Sequence, residues 1–124
     1  MSKEQINVEE LKVKLRKFAE DRDWDQFHSP KNLSMALSVE VSELVEIFQW
    51  LGTKESLEIM GNDKKRKMVE DEVADIFYYL LRITDKLEID LESVLMRKMI
   101  DNEQKYPVEL SKGSAKKYTE LEGK

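Results

Sequence analysis

The sequence predicts an all-α protein whose four helices pack as a bundle. Apolar residues recur at helical spacing in four long segments, and no segment of useful length alternates apolar and polar residues as a strand does. Only four Gly and two Pro interrupt the 124 residues, which favours long helices over many strands and turns. Because a chain of this length buries only a small core, we expect association between copies to complete the bundle.

The first two helices begin at residues that suit helix capping. Asn7 is a suitable N-cap for a helix over residues 8–20, in which apolar residues recur at helical spacing. The segment between this helix and Ser29 lacks the periodicity, which indicates a connection between helices. Ser29 is followed by proline, and serine is a preferred N-cap while proline suits the first helical position. A second helix is therefore expected over residues 30–51.

The remaining two helices follow a polar stretch that contains glycine and asparagine. The third helix is expected over residues 64–87. Asp90 is a suitable N-cap for the fourth helix, which must end before Pro107. The residues after it are mostly polar. We therefore predict one helical domain over residues 1–110 and a polar C-terminal tail over residues 111–124.

Composition excludes several classes of function. The net charge is −5, from 21 basic and 26 acidic side chains, which argues against a nucleic-acid partner because such proteins usually carry a basic face. The chain has no cysteine, so disulfides, thiol chemistry and cysteine-based zinc sites are excluded. No apolar segment resembles a signal peptide or a membrane span. We expect a cytoplasmic protein without a membrane partner.

Two helices carry acidic residues within their apolar faces. At about 100° per residue, Glu40 falls in the middle of the apolar stripe of the second helix, and Glu43 falls on its shoulder. The third helix repeats this arrangement with Glu72 and Asp75, whereas Glu46 falls near the edge of its stripe. Acidic residues are rarely buried without a partner, because removing a carboxylate from water is costly. These four acids therefore need partners.

Cations would satisfy such a group of acids. Like charges in one site either force protonation or require cations, and carboxylate oxygens suit Mg²⁺, Mn²⁺ or Ca²⁺. Since Mg²⁺ usually shares its coordination shell with substrate phosphates, the pattern indicates phosphate chemistry. The alternative is that each acid pairs with a basic residue of another helix, such as Lys98, Lys105 or Arg82.

Two further groups of residues have both a structural and a functional interpretation. Lys98, Asn102 and Lys105 share one stripe of the fourth helix. They could hold phosphate oxygens and a sugar hydroxyl, or extend from a helix edge into solvent. Trp24 and Trp50 cluster around the second helix and the connection before it. Their rings could stack on a nucleobase or belong to the core.

The acid pattern lies within a longer match to a known family. The segments RDWDQFHSPKNL, FQW and KMIDNEQKYPVELSKGSAKKYTEL stand in this order around two acids three apart and a later Glu-x-x-Asp. With them, nearly the whole chain resembles the MazG-like all-α nucleoside triphosphate pyrophosphohydrolases, and within them the dCTP pyrophosphatase branch. Leu15 stands where vertebrate dCTP-specific relatives carry histidine, so the base preference does not transfer with the resemblance.

The resemblance implies a helical bundle that works as a homodimer or as a tetramer of two dimers. It also implies hydrolysis of a nucleoside triphosphate to a monophosphate and pyrophosphate with Mg²⁺, for which Mn²⁺ could substitute. The implied metal ligands and catalytic residues are Glu40, Glu43, Glu72 and Asp75. The implied substrate contacts are Lys98, Asn102, Tyr79 and Lys105 to phosphate or sugar, and Trp24, His28 and Trp50 around the base.

We therefore expect an enzyme that hydrolyses a nucleoside triphosphate, such as dCTP, through attack of a metal-activated water at the α-phosphorus. Two alternatives remain open. One is a non-enzymatic helical module for oligomerisation or binding, whose acids pair with basic residues. The other is a related pyrophosphohydrolase for dUTP or a phosphoribosyl nucleotide.

Overall fold

The computed structural model of the chain describes residues 5–121 and contains helices and no strand within that range. The predicted all-α class is therefore confirmed, while residues 1–4 and 122–124 of the predicted domain and tail lie outside the described residues. Four long helices and three short ones follow in chain order: α1 (Val8–Asp21), α2 (Pro30–Phe48), α3 (Thr53–Leu57), α4 (Asp63–Lys86), α5 (Leu91–Lys105), α6 (Val108–Ser111) and α7 (Tyr118–Leu121).

Side-chain caps define where the long helices begin. The side chain of Asn7 accepts a hydrogen bond from the Glu10 backbone N–H at 2.8 Å, as its position in the sequence predicts. Ser29 and Asp90 cap α2 and α5 in the same way. Asn62 caps α4 by accepting from the Lys65 N–H at 3.0 Å. Each cap satisfies a backbone donor that the first helical turn leaves without a partner.

Replacing Asn62 by alanine should reduce the free energy of unfolding by about 1 kcal/mol, because the first turn of α4 loses this acceptor. We expect the melting temperature to fall by about 4 °C, as measured by circular dichroism. Lys65→Ala is the matched control, since that side chain is exposed and only its backbone N–H takes part in the cap. Equal effects of the two substitutions would contradict the capping role of Asn62.

The helix α4 is the centre of the first half of the chain. Both α1 and α2 pack against it. Leu33 of α2 and Leu81 of α4 are 1% and 2% exposed, so they belong to the buried core of this half. Many large apolar side chains of the described chain are exposed, including Val45 and Leu80. These exposed residues agree with the expected association between copies, which stays a prediction.

The segment after α2 differs from the prediction. The helix ends at Phe48 and not at Leu51. The backbone N–H of Leu51 instead donates to the Phe48 carbonyl at 2.9 Å and forms a turn. A short helix, α3, then begins after Gly52 within a stretch for which no helix was predicted. A helix of five residues is too short to show a periodic apolar pattern, so the sequence alone could not indicate it.

The chain divides into two compact units, of which the first ends at Glu88 and the second begins at Ile89. The first contains α1–α4 and the second contains α5–α7. Glu88 has φ 54°, in the left-handed region that commonly ends a helix. The single domain over residues 1–110 stays a prediction. No helix of the described chain is long and apolar enough to cross a membrane.

Candidate active site

Three carboxylates meet where α2 packs against α4. Glu40 and Glu43 lie one turn apart on α2, and Glu72 lies on α4. Each offers one oxygen atom, and these three oxygens all lie within 4.8 Å of one another. Residues three apart on a helix share a face, so the spacing of the acids on α2 directs both toward α4. We call this group the carboxylate cluster.

The carboxylate cluster lacks partners of opposite charge. Glu40 and Glu72 are half-buried, and their Oε2 atoms are buried without a hydrogen-bond partner among the described residues. None of the ion pairs recorded within residues 5–121 involves the cluster. Arg82, one of the alternative partners considered above, pairs with Asp25 and Asp85 instead. Burying charged oxygens without compensation is unfavourable, so the cluster is arranged for a ligand that supplies positive charge.

Crowding of the carboxylates changes their acidity. A hydrogen bond with Glu72, loss of solvent and the nearby Glu43 together raise the pKa of Glu40 to about 7. The hydrogen bond with Glu40 acts in the opposite direction on Glu72, but burial and Glu43 still raise the pKa of Glu72 above its ordinary value. Without a cation the pair therefore retains a proton near neutral pH. A divalent cation would remove the need for that proton.

Two cavities border the carboxylate cluster on the first unit. One, of about 510 Å³, is lined by Glu43 and Glu72 together with Glu46, Ile47, Met68 and Asp71. The other, which we call the aromatic cavity, has a volume of about 360 Å³. Its size is within the range of small-molecule pockets. The aromatic cavity is lined by Phe18, Trp24, His28, Glu40, Asp75, Tyr78 and Tyr79.

The lining of the aromatic cavity combines aromatic rings with acidic side chains. The rings of Phe18 and Trp24 meet edge to face at 5.7 Å, and those of Tyr78 and Tyr79 at 5.0 Å. Burial, with the nearby charges of Glu40 and an aspartate of α4, raises the pKa of Tyr79. Its hydroxyl therefore stays protonated and can donate a hydrogen bond. A flat base could lie among these rings while its phosphates lie near the carboxylates.

The structure brings together part of the predicted site. Trp24, His28 and Tyr79 line the aromatic cavity, and so does Asp75, which is outside the group of three converging carboxylate oxygens. Trp50 lies in the turn after α2, is 86% exposed and lines neither cavity. Its role at the base stays a prediction.

The predicted residues of α5 lie in the second unit. Lys98, Asn102 and Lys105 are all exposed on this helix. The Nζ atom of Lys105 lies 5.0 Å from the centre of the Tyr118 ring, and both residues line a cavity of about 340 Å³ within that unit. Their contacts with substrate stay predictions.

Sequence reasoning missed Phe18, Tyr78 and the true partners of Arg82. Phe18 is one of the apolar residues at helical spacing in α1, and that spacing gives no sign that its ring lines a cavity. The guanidinium of Arg82 binds Asp25 at 3.0 Å and His28 at 3.2 Å, in the loop that carries Trp24. Both partners are more than fifty residues from Arg82 in sequence, so no local pattern indicates these contacts.

Known proteins resemble this chain over most of its length. The sequence model of the MazG-like family matches residues 35–121. Over 114 residues, the chain is 41% identical to dCTP pyrophosphatase 1 of Rattus norvegicus and 37% identical to that of Homo sapiens. Both alignments cover 92% of this chain and 67% of the relative. The crystal structure of a pyrophosphatase from Archaeoglobus fulgidus matches with a TM-score of 0.76 and 41% identity, covering 86% of this chain and 98% of that one.

These relatives confirm the class of enzyme that the sequence predicts, a hydrolase of phosphoric anhydride bonds. The family match includes both acidic helices, α2 from residue 35 onward and the whole of α4. The resemblance inferred from the acid pattern and its flanking segments is therefore confirmed, and the chain belongs to the MazG-like family.

Proposed function

We propose that the chain hydrolyses dCTP to dCMP and pyrophosphate in a reaction that depends on Mg²⁺. The observation that carries this proposal is the position of Glu40, which belongs to the carboxylate cluster and also lines the aromatic cavity. A triphosphate bound through a cation would thus place its nucleoside among the aromatic rings. The names of the relatives support dCTP as the substrate.

The residues present fit a divalent cation with hard oxygen ligands. Glu40, Glu43 and Glu72 would hold it, and we propose Asp75 as a further ligand because it lies one turn after Glu72 on the same helix. The two buried oxygen atoms without partners are the strongest sign of a missing positive charge. All-carboxylate sites suit Mg²⁺ or Mn²⁺. A bound cation supplies charge neutralisation for the triphosphate and lowers the pKa of a bound water.

The side chains of the chain orient the substrate. The rings of the aromatic cavity offer a stacking surface for the base, and the protonated hydroxyl of Tyr79 can donate to the sugar or to a phosphate oxygen. Hydrolysis forms a bond from water oxygen to the α-phosphorus and breaks the bond to the oxygen bridging the β-phosphorus. Pyrophosphate leaves with that oxygen, and the carboxylates are the nearest bases for the proton of water.

A homodimer or a tetramer of two dimers is part of this proposal. The described chain buries few apolar side chains and exposes many large ones, such as Val41, Met68 and Phe77. Obligate interfaces are rich in residues of this kind. Lys98, Asn102 and Lys105 are proposed to contact phosphate or sugar in the assembled enzyme.

A panel of nucleotides with detection of released pyrophosphate tests the proposed function. We expect dCTP to give the highest kcat/KM and dCMP as the nucleoside product, with activity lost when EDTA removes the cation. Highest activity with dUTP or with a phosphoribosyl nucleotide would assign a different substrate to the same site. Release of orthophosphate without pyrophosphate, or no turnover on any nucleotide, would contradict the proposal.

Mg²⁺ with a non-hydrolysable dCTP analogue should raise the melting temperature of the enzyme, because a ligand that binds only the folded state stabilises it. At a concentration 100 times Kd the gain is about 2.7 kcal/mol. Scanning fluorimetry with and without Mg²⁺ measures this effect. Sodium sulfate at equal ionic strength is the control, and an equal shift with that salt would exclude specific binding.

A further inference from the structure

Arg82 is the most deeply buried charged residue of the described chain, and its side chain is 1% exposed. Its guanidinium donates through three nitrogens. Nη1 donates to Asp85 at 3.2 Å, Nη2 donates to Asp25 at 3.0 Å, and Nε donates to Nδ1 of His28 at 3.2 Å. Arg82 therefore connects the end of α4 to the loop before α2.

The two carboxylates keep this guanidinium in one orientation. Asp85 also accepts two hydrogen bonds from Arg16 of α1, at 3.0 and 2.7 Å, and Asp25 also pairs with Lys86. The guanidinium of arginine is a planar fork with fixed donor directions. Both Nη groups bind carboxylates that have a second basic partner, so the guanidinium plane is fixed. Its Nε therefore has little freedom to turn away from His28.

The contact with Nε determines where His28 carries its proton. Arginine donates hydrogen bonds and accepts none, so Nδ1 of His28 must present its lone pair. A neutral imidazole with a free lone pair on Nδ1 carries its hydrogen on Nε2. Burial, together with the positive charge of Arg82, also lowers the pKa of His28 and keeps the ring neutral.

The Nε2–H of His28 is available for a ligand. The ring lines the aromatic cavity together with Trp24 and Tyr79. Within residues 5–121, the structure records no acceptor for this N–H. The ring is only partly buried, so this N–H can be reached from the cavity, and a bound molecule with an acceptor atom at its edge could accept a hydrogen bond from it. Nucleobases present such atoms as ring carbonyls and unprotonated ring nitrogens.

We propose that Arg82 is a positioning residue that holds His28 as the neutral Nε2–H tautomer, so that the aromatic cavity presents a hydrogen-bond donor to an acceptor atom of the nucleobase. The identity of the ligand rests on the proposed function, but the tautomer does not. Arg82 affects the ligand through His28, since its own side chain is 1% exposed and does not line the aromatic cavity.

The tautomer can be measured directly, because His28 is the only histidine of the chain. We expect long-range ¹H–¹⁵N NMR spectra of the folded protein at neutral pH to show a pyridine-like Nδ1 and a pyrrole-like Nε2. Arg16→Met is the control, since it removes a guanidinium from Asp85 without touching His28, and it should keep this pattern. A protonated Nδ1, or an averaged mixture of tautomers in the wild-type protein, would overturn the proposal.

Kinetics with dCTP test whether Arg82 acts through His28. Arg82→Met and His28→Phe should each raise KM about tenfold, the effect of one lost hydrogen bond, while kcat changes less than KM. The double variant should be no worse than His28→Phe alone, because residues that act through one interaction are not additive. Multiplied effects on KM in the double variant would mean that Arg82 affects dCTP binding by a route other than His28 and would overturn the proposal.

The two tests separate this inference from the proposed function. If no nucleotide is hydrolysed, both the proposed function and the donation to a base are overturned. The NMR spectrum of the wild-type protein still decides the tautomer, and it requires neither turnover nor a variant that folds.

Discussion

Replacing Glu72 by glutamine is expected to reduce turnover of dCTP on the order of 10³-fold. The substitution keeps the shape of the side chain but removes one charge from the carboxylate cluster, where three oxygens lie within 4.8 Å. Electrostatic groups that act on the transition state of a reaction have effects of this size when one is removed. Release of pyrophosphate at saturating Mg²⁺ and dCTP measures the loss, and Glu40→Gln should behave alike.

Glu70→Gln is the matched control for this prediction. Glu70 lies two residues earlier on α4, is exposed and is not part of the carboxylate cluster. A substitution of this kind on the surface changes free energies by less than about 0.5 kcal/mol, so activity should remain within about threefold of wild type. Equal losses in Glu70→Gln and Glu72→Gln would contradict the assignment of the cluster.

The substitution Glu72→Gln should not unfold the protein. In the absence of a cation, Glu40 and Glu72 each have a buried oxygen atom without a partner, and burial and crowding raise the pKa of both. Removing one charge relieves this crowding. We expect the cation-free variant to melt at the same temperature as wild type or higher, and to lose the stabilisation by Mg²⁺. A marked fall in melting temperature would indicate that the acid has a structural role.

Local chemistry made much of the fold predictable. Asn7, Ser29 and Asp90 cap helices because their side chains bond backbone groups three residues away, so each cap is visible in a short window of sequence. The positions of Glu40 and Glu72 were also predictable, since helical geometry alone directs both toward the neighbouring helix.

Features that depend on distant residues were not predictable. The contact between His28 and Arg82 joins residues 54 apart, and no helical period links a loop to the end of α4. The end of α2 was expected at Leu51, but the helix ends at Phe48, and Trp50 lies in the turn that follows it. Helix ends and long-range ion pairs depend on the packing of the whole chain, which a window of sequence does not contain.

Replacing Arg82 by methionine is expected to reduce the free energy of unfolding by about 3 kcal/mol or more. Methionine fills a similar volume, but the substitution removes the guanidinium that binds Asp25, Asp85 and His28. Asp85 is 11% exposed, and removing one partner of a buried charge is costly because the other charge remains desolvated. Urea unfolding at pH 7 measures this loss.

Arg16→Met separates the effect of burial from that of pairing. Arg16 binds the same Asp85 at 2.7 Å, but its side chain is 46% exposed, and pairs that reach solvent contribute up to about 1 kcal/mol. We expect Arg16→Met to reduce the free energy of unfolding by no more than a third of the reduction in Arg82→Met. Equal reductions in the two variants would show that the burial of Arg82 does not add to the stability that its ion pairs contribute.

The difference between wild type and Arg82→Met should also depend on pH. Lys86 and Arg82 lower the pKa of Asp25, and Arg16 and Arg82 lower the pKa of Asp85. A carboxyl with a lowered folded pKa contributes stability that is present above its ordinary value of 3.8 and is lost as the pH falls through the folded pKa. Urea unfolding repeated below pH 3 should therefore give a smaller difference than at pH 7. A difference that stays constant over this range would mean that the lost stability comes from packing of the Arg82 side chain and not from its ion pairs.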